Sequence, residues 1–150
     1  MGLCRATLYI TAGLLYAPII NIQLIIGAAI VLSWTIGLTF LAKQETLNQI
    51  DKYWPVLFLL APIIYGAVAA PQTATLYILV FLLLSIIIYS LYIIRVQKPG
   101  SIGITVSLLI ASFSILDGLI LAANGYEWLA IAVSIAVLPT LLLQRYIPGT

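Results

Sequence analysis

The chain has 150 residues, of which 64% are hydrophobic and 7% charged, with a net charge of +2. A water-soluble domain carries about 25% charged residues, so these side chains cannot cover a water-facing surface and membrane lipid is expected as the main solvent. The basic residues are scattered singly, which excludes a stripe that tracks a nucleic-acid backbone, and the lack of histidine removes the usual general base near neutral pH.

In chain order, the opening Met1-Gly2-Leu3-Cys4-Arg5 stands almost inside an apolar run. No charged region precedes it as in a cleavable leader, and Ala6 stands where a myristoylation pattern needs Ser or Thr. So abrupt a start leads us to expect a piece of a longer protein. Cys4 is the sole cysteine, so it has no intrachain partner. It is read as a small apolar filler, with the adjacent Arg5 as an interfacial anchor.

Six apolar segments follow, over residues 6–20, 22–42, 53–70, 74–94, 102–123 and 128–143. A crossing needs roughly 20 residues, with about 17 tolerated. The second, fourth and fifth segments meet this outright, and the third is adequate. The sixth needs a residue or two from its flanks. The first is short unless Gly2–Arg5 extends it. Pro18, Pro62 and Pro139 lie in or near segments, where they predict kinks whose freed carbonyls are satisfied by neighbouring helices. The expected fold is all-α: a single transmembrane domain over residues 1–150, a polytopic bundle of about six membrane helices.

The polar residues sort by side. If every segment crosses once, Arg5, Lys43, Lys52, Arg95, Lys98 and Arg145 all face one compartment. The turns at Asn21, 69–73 and 124–127 face the other, with no Lys or Arg. The positive-inside rule then places both termini and the 43–52 loop in the cytoplasm of a cell-membrane protein. Tyr53, Trp54, Tyr126 and Trp128 flank the segment ends as an aromatic belt does.

Few residues could carry chemistry. Asp117 lies inside the fifth segment, where an isolated carboxylate costs at least about 2.5–3.5 kcal/mol. One reading makes it a cavity ligand or proton carrier. The other makes it a neutral acid hydrogen-bonded to a neighbouring helix. Ala111, Ser114, Gly118 and Ala122 give the same helix a small-residue face suited to close packing. Gly66 and Ala70 form a second small-residue pair, and Asn21 and Gln23 a polar pair at a turn. The remaining carboxylates are Glu45, Asp51 and Glu127. Glu45 and Asp51 share a loop with Lys43 and Lys52, but two acids six apart make a poor Mg²⁺ clamp. No phosphate-binding glycine loop, dinucleotide fingerprint or nucleophile triad is present.

The opening MGLCRATLYITAGLL resembles a segment from the middle of UbiA-type membrane prenyltransferases, closest to the UbiA-like branch called EboC, where a Gly-Leu-Cys-Arg run opens a transmembrane helix. The stretch GITVSLLIASFSILDGLILAANGY resembles a late helix of those proteins carrying a Leu-Asp-(Ala/Gly) step. The closing LPTLLLQRYIPGT resembles their final helix. The resemblance covers the C-terminal half of a family chain. It implies a helical bundle around a lipid-facing cavity, with Asp-rich loop motifs holding Mg²⁺ and a prenyl diphosphate for transfer to a lipophilic acceptor. The second motif would fall in the 43–52 loop. There KQETLNQID stands in place of Asp-x-x-x-Asp.

Arg5 and Lys43 are the candidates to face the diphosphate, and Glu45 and Asp51 the metal-side candidates. The chain is expected to be inactive alone and completed by a separate N-terminal half or by a homo-oligomer. The alternative is a small multi-pass transporter or membrane assembly subunit without catalytic activity, with Asp117 as its polar feature.

Overall fold

The computed structural model describes residues 2–16, 22–47, 54, 56–68, 73–95 and 101–146. These form α1 (Gly2–Tyr16), α2 (Ile22–Leu47), α3 (Val56–Val68), α4 (Ala74–Arg95), α5 (Ser101–Ala111), α6 (Phe113–Ala123), α7 (Glu127–Ile135) and α8 (Val137–Tyr146), with no strand among the described residues. In lipid a backbone must satisfy its own polar groups, which makes the helix the open choice for runs this apolar.

Among the described residues four stretches are long and apolar enough to cross a membrane: Ile22–Lys43, Ala74–Ile94, Gly103–Ala123 and Glu127–Gln144. The last of these takes Glu127 and Gln144 from the flanks of the sixth segment, as its length required. The other two segments are shorter as helices. α3 has 13 residues and α1 has 15. At about 1.5 Å per residue their described residues run roughly 20 and 22 Å, against a bilayer core of about 30 Å.

Two of the crossings are broken in the middle, each for a local reason. Ser112 separates α5 from α6, and its Oγ donates to the Leu109 carbonyl at 2.7 Å. Such back-bonding bends helices. Trp34 Nε1, from the fully buried Trp34 ring on α2, donates to the same carbonyl at 3.4 Å. Ala136 separates α7 from α8. Pro139 follows it and has no N–H to give, so the helical ladder is interrupted there.

Pro62 sits inside α3 and is buried. It cannot donate to the carbonyl four residues back, that of Phe58. Ser33 Oγ on α2 donates to that carbonyl instead, at 2.9 Å. The expectation that a neighbouring helix takes up a proline-freed carbonyl is met at this position. Pro18 and Ala70 lie outside the described residues.

Thr73 starts α4, its Oγ1 accepting from the Leu76 N–H at 3.3 Å in the manner of an N-cap. Gly125, at φ +86°, turns α6 into α7, a conformation that glycine adopts without steric penalty. Gly118 on α6 lies against Ala130 and Ser134 on α7, so closely that a Cβ there would meet the Ala130 carbonyl oxygen at 2.8 Å. Gly66 on α3 gives the same close approach to Val80 on α4. Helices in lipid gain little from burying apolar surface against each other, so van der Waals contact at such small residues holds the hairpins.

α2 lies at the centre, packed against α1, α3 and α5. Trp34, Leu83, Leu109, Leu116 and Leu119 fill the interior. The outward face of α4 carries Tyr77, Ile78, Phe81, Ile88 and Tyr89, bulky side chains that suit contact with lipid tails.

Candidate functional site

Depth in the bundle can be read from cross-helix contacts. Gly27 on α2 lies beside Ile120 on α6, and Trp34 bonds to Leu109. Thr105 Oγ1 on α5 donates to the Ser90 carbonyl on α4 at 3.4 Å. These pairs put the Lys43 end of α2 and the Arg95 end of α4 at one end of the bundle, with the start of α5. Arg145, near the end of α8, lies toward the same end, because α7 and α8 return beside α6 and α5. At the opposite end Thr75 Oγ1 at the start of α4 donates to Glu127 Oε2 at the start of α7, at 3.2 Å. Three of the four basic residues in described helices therefore share an end, away from Glu127. Lys52 and Lys98 lie outside the described residues.

Gly13 on α1 packs against Leu24 on α2. The Arg5 side chain lies outside the described residues.

Asp117 sits half-buried on α6, and the Tyr9 hydroxyl on α1 donates to its Oδ1. A neighbouring helix thus supplies the carboxyl with a hydrogen-bond donor. Tyr9 also walls a shallow apolar depression of about 450 Å³ together with Leu8, Ala12, Gly13 and Leu24. Asp117 is not among the residues lining it. Tyr9 was not singled out from sequence, because nothing local marks it among nine tyrosines.

At the cationic end Lys43 is exposed. One turn earlier on α2, Phe40 meets the Trp54 ring edge-on at 4.8 Å, and Trp54 meets Phe58 at 5.5 Å. Trp54 is 43% exposed, and at the other end Trp128 is 86% exposed. Partly exposed rings near both ends fit the expected aromatic belts.

The Glu45 side chain and Asp51 lie outside the described residues. Among the described residues no three His, Cys, Asp or Glu side chains come together. The two described carboxylates are held apart, Asp117 by Tyr9 and Glu127 by Thr75. These residues do not form a Mg²⁺ site. Cys4 is exposed and unbridged on α1.

Comparison with protein-family models, with curated proteins and with solved structures finds no match to the chain. What the fold defines is a helical membrane protein with a polar contact between its first and sixth described helices.

Proposed function

We propose that the chain is one half of a UbiA-like integral-membrane prenyltransferase, inactive alone, that contributes to moving a prenyl group from a prenyl diphosphate to a lipophilic acceptor. One observation carries this reading. The two longest stretches that resemble the family, the Gly-Leu-Cys-Arg helix α1 and the Leu-Asp-Gly helix α6, meet through the Tyr9–Asp117 hydrogen bond. The resemblance thus rests on helices that touch in the fold.

In this reading the cationic end faces the cytoplasm and takes the diphosphate, with Lys43 as the base on it. Arg5 is the second base that faces it in this reading. Mg²⁺ would be held by Glu45, Asp51 and carboxylates of the completing half, a second polypeptide or second copy.

The test uses membranes carrying the full chain, with and without Mg²⁺, and an isotope-labelled prenyl diphosphate. Saturable binding without turnover is expected, weakened by Lys43→Glu. No saturable binding overturns the reading. Mg²⁺-dependent turnover by the chain alone overturns its incompleteness. Loss of a transport activity on Asp117→Asn, without diphosphate binding, selects the transporter.

A further inference from the structure

α7 and α8 share one crossing but are held differently. α7 is seated. Gly118 on α6 lies in close contact with Ala130 and Ser134, Ala130 is fully buried, and Thr75 on α4 donates to Glu127 at the start of the helix. α8 leans on α5 and α6 without such a seat. It contains no glycine, alanine or serine at which another backbone could approach closely. Leu138, Leu141, Leu142 and Leu143 are exposed. Among the described residues no hydrogen bond joins α8 to another helix. The docked helix instead buries Gln144 Oε1 with no hydrogen-bond partner.

The junction between the two helices closes on itself. The Ala136 N–H bonds to the Val133 carbonyl at 3.1 Å, three residues back rather than four. The Ala136 carbonyl accepts both the Thr140 N–H, at 3.2 Å, and Thr140 Oγ1, at 2.8 Å. Pro139 between them has no N–H to continue the ladder, a known cause of kinks. Turning α8 about this junction therefore breaks none of these bonds.

We propose that α8 is a hinged strap, which swings about Ala136–Pro139 between the docked position and one turned away from α5. In lipid an apolar helix gains little by exchanging lipid contact for protein contact, so docking has no hydrophobic drive. A buried acceptor left unpaired weighs against the docked position. Gln144 closes the membrane-length stretch Glu127–Gln144, so a turned strap brings its amide to the interface, where water and headgroups can bond it. The swing opens a lateral gap beside α5 at the end of the bundle that carries Lys43, while α7 stays seated on α6. A tilt of about 20° carries the far end of this ten-residue helix by roughly 5 Å. The inference stands on the bundle alone and does not depend on prenyl transfer.

The experiment measures spin-label distances in the full chain in nanodiscs, in a Cys4→Ala background. Ile104→Cys with Leu142→Cys reports α8 against α5, and Ile78→Cys with Leu129→Cys reports α7 against α4; all four positions are exposed. The α8 pair is expected to show two distances about 5 Å or more apart, and the α7 pair one. Gln144→Leu removes the stranded acceptor and is expected to lower the turned-away population about fivefold or more. If Gln144→Leu does not fold, Gln144→Met carries the same test. A single distance for the α8 pair, or two populations that the Gln144 variant leaves unchanged, overturns the proposal.

Discussion

The Tyr9 hydroxyl on α1 donates to the Asp117 carboxylate on α6 across 108 residues of sequence. It ties the first described helix to one that lies within a membrane-length stretch. Tyr9→Phe keeps the ring that walls the α1–α2 depression and removes the donor. It is expected to destabilise the bundle by about 1 kcal/mol, the scale of intramembrane hydrogen bonds. Denaturant titration in mixed micelles measures this. No change would show that the contact is energetically silent.

The Ser33–Phe58 bond exists because Pro62 cannot serve the Phe58 carbonyl. Ser33→Ala leaves that carbonyl short of a donor and is expected to cost about 1 kcal/mol. An alanine at position 62 brings an N–H back to the ladder. Ser33→Ala should therefore cost clearly less in a Pro62→Ala background. The same titration on the four variants checks this, and equal costs in both backgrounds would refute the compensation.

The α6–α7 hairpin closes on Gly118, where a side chain meets the backbone oxygen of Ala130 and the hydroxyl of Ser134. Backbone cannot step aside as a flexible side chain does. Gly118→Ala is expected to destabilise by about 1–3 kcal/mol, as overpacking does. Gly27→Ala is the control, because its Cβ would meet only Ile120, at 3.4 Å. That change should stay within about 0.5 kcal/mol. Melting temperatures in one detergent compare the two.

Much of this architecture can be read from residues in order. Runs of 20 apolar residues declare crossings, Pro62 and Pro139 declare interruptions, and Asn124-Gly125 declares the α6–α7 turn. Asp117 declares that something must meet it. What meets it is not legible, because Tyr9 lies 108 positions away and looks like any interfacial tyrosine. The break at Ser112 is equally silent, since it arises from a back-bond and from Trp34 reaching over from α2. Glu45 and Asp51, the metal-side candidates, fall on positions where no side chain is described.

Trp34 should behave unlike the other two tryptophans. It is fully buried, with its indole N–H engaged, while Trp54 and Trp128 are partly or largely exposed toward opposite ends. Brominated lipids should quench Trp54 and Trp128 and spare Trp34. In a variant with Trp54→Phe and Trp128→Phe, residual fluorescence should be insensitive to them. Strong quenching of that variant would place Trp34 at the lipid face.

The proposed function requires a bundle that crosses the membrane with its Lys43 end in the cytoplasm. Cysteine labelling of intact cells with a membrane-impermeant maleimide tests this most directly. In a Cys4→Ala background, Tyr126→Cys should be labelled from outside, and Lys43→Cys only after permeabilisation. Labelling of both positions from the same side would contradict the threading of α2 through α7 and the bundle built on it.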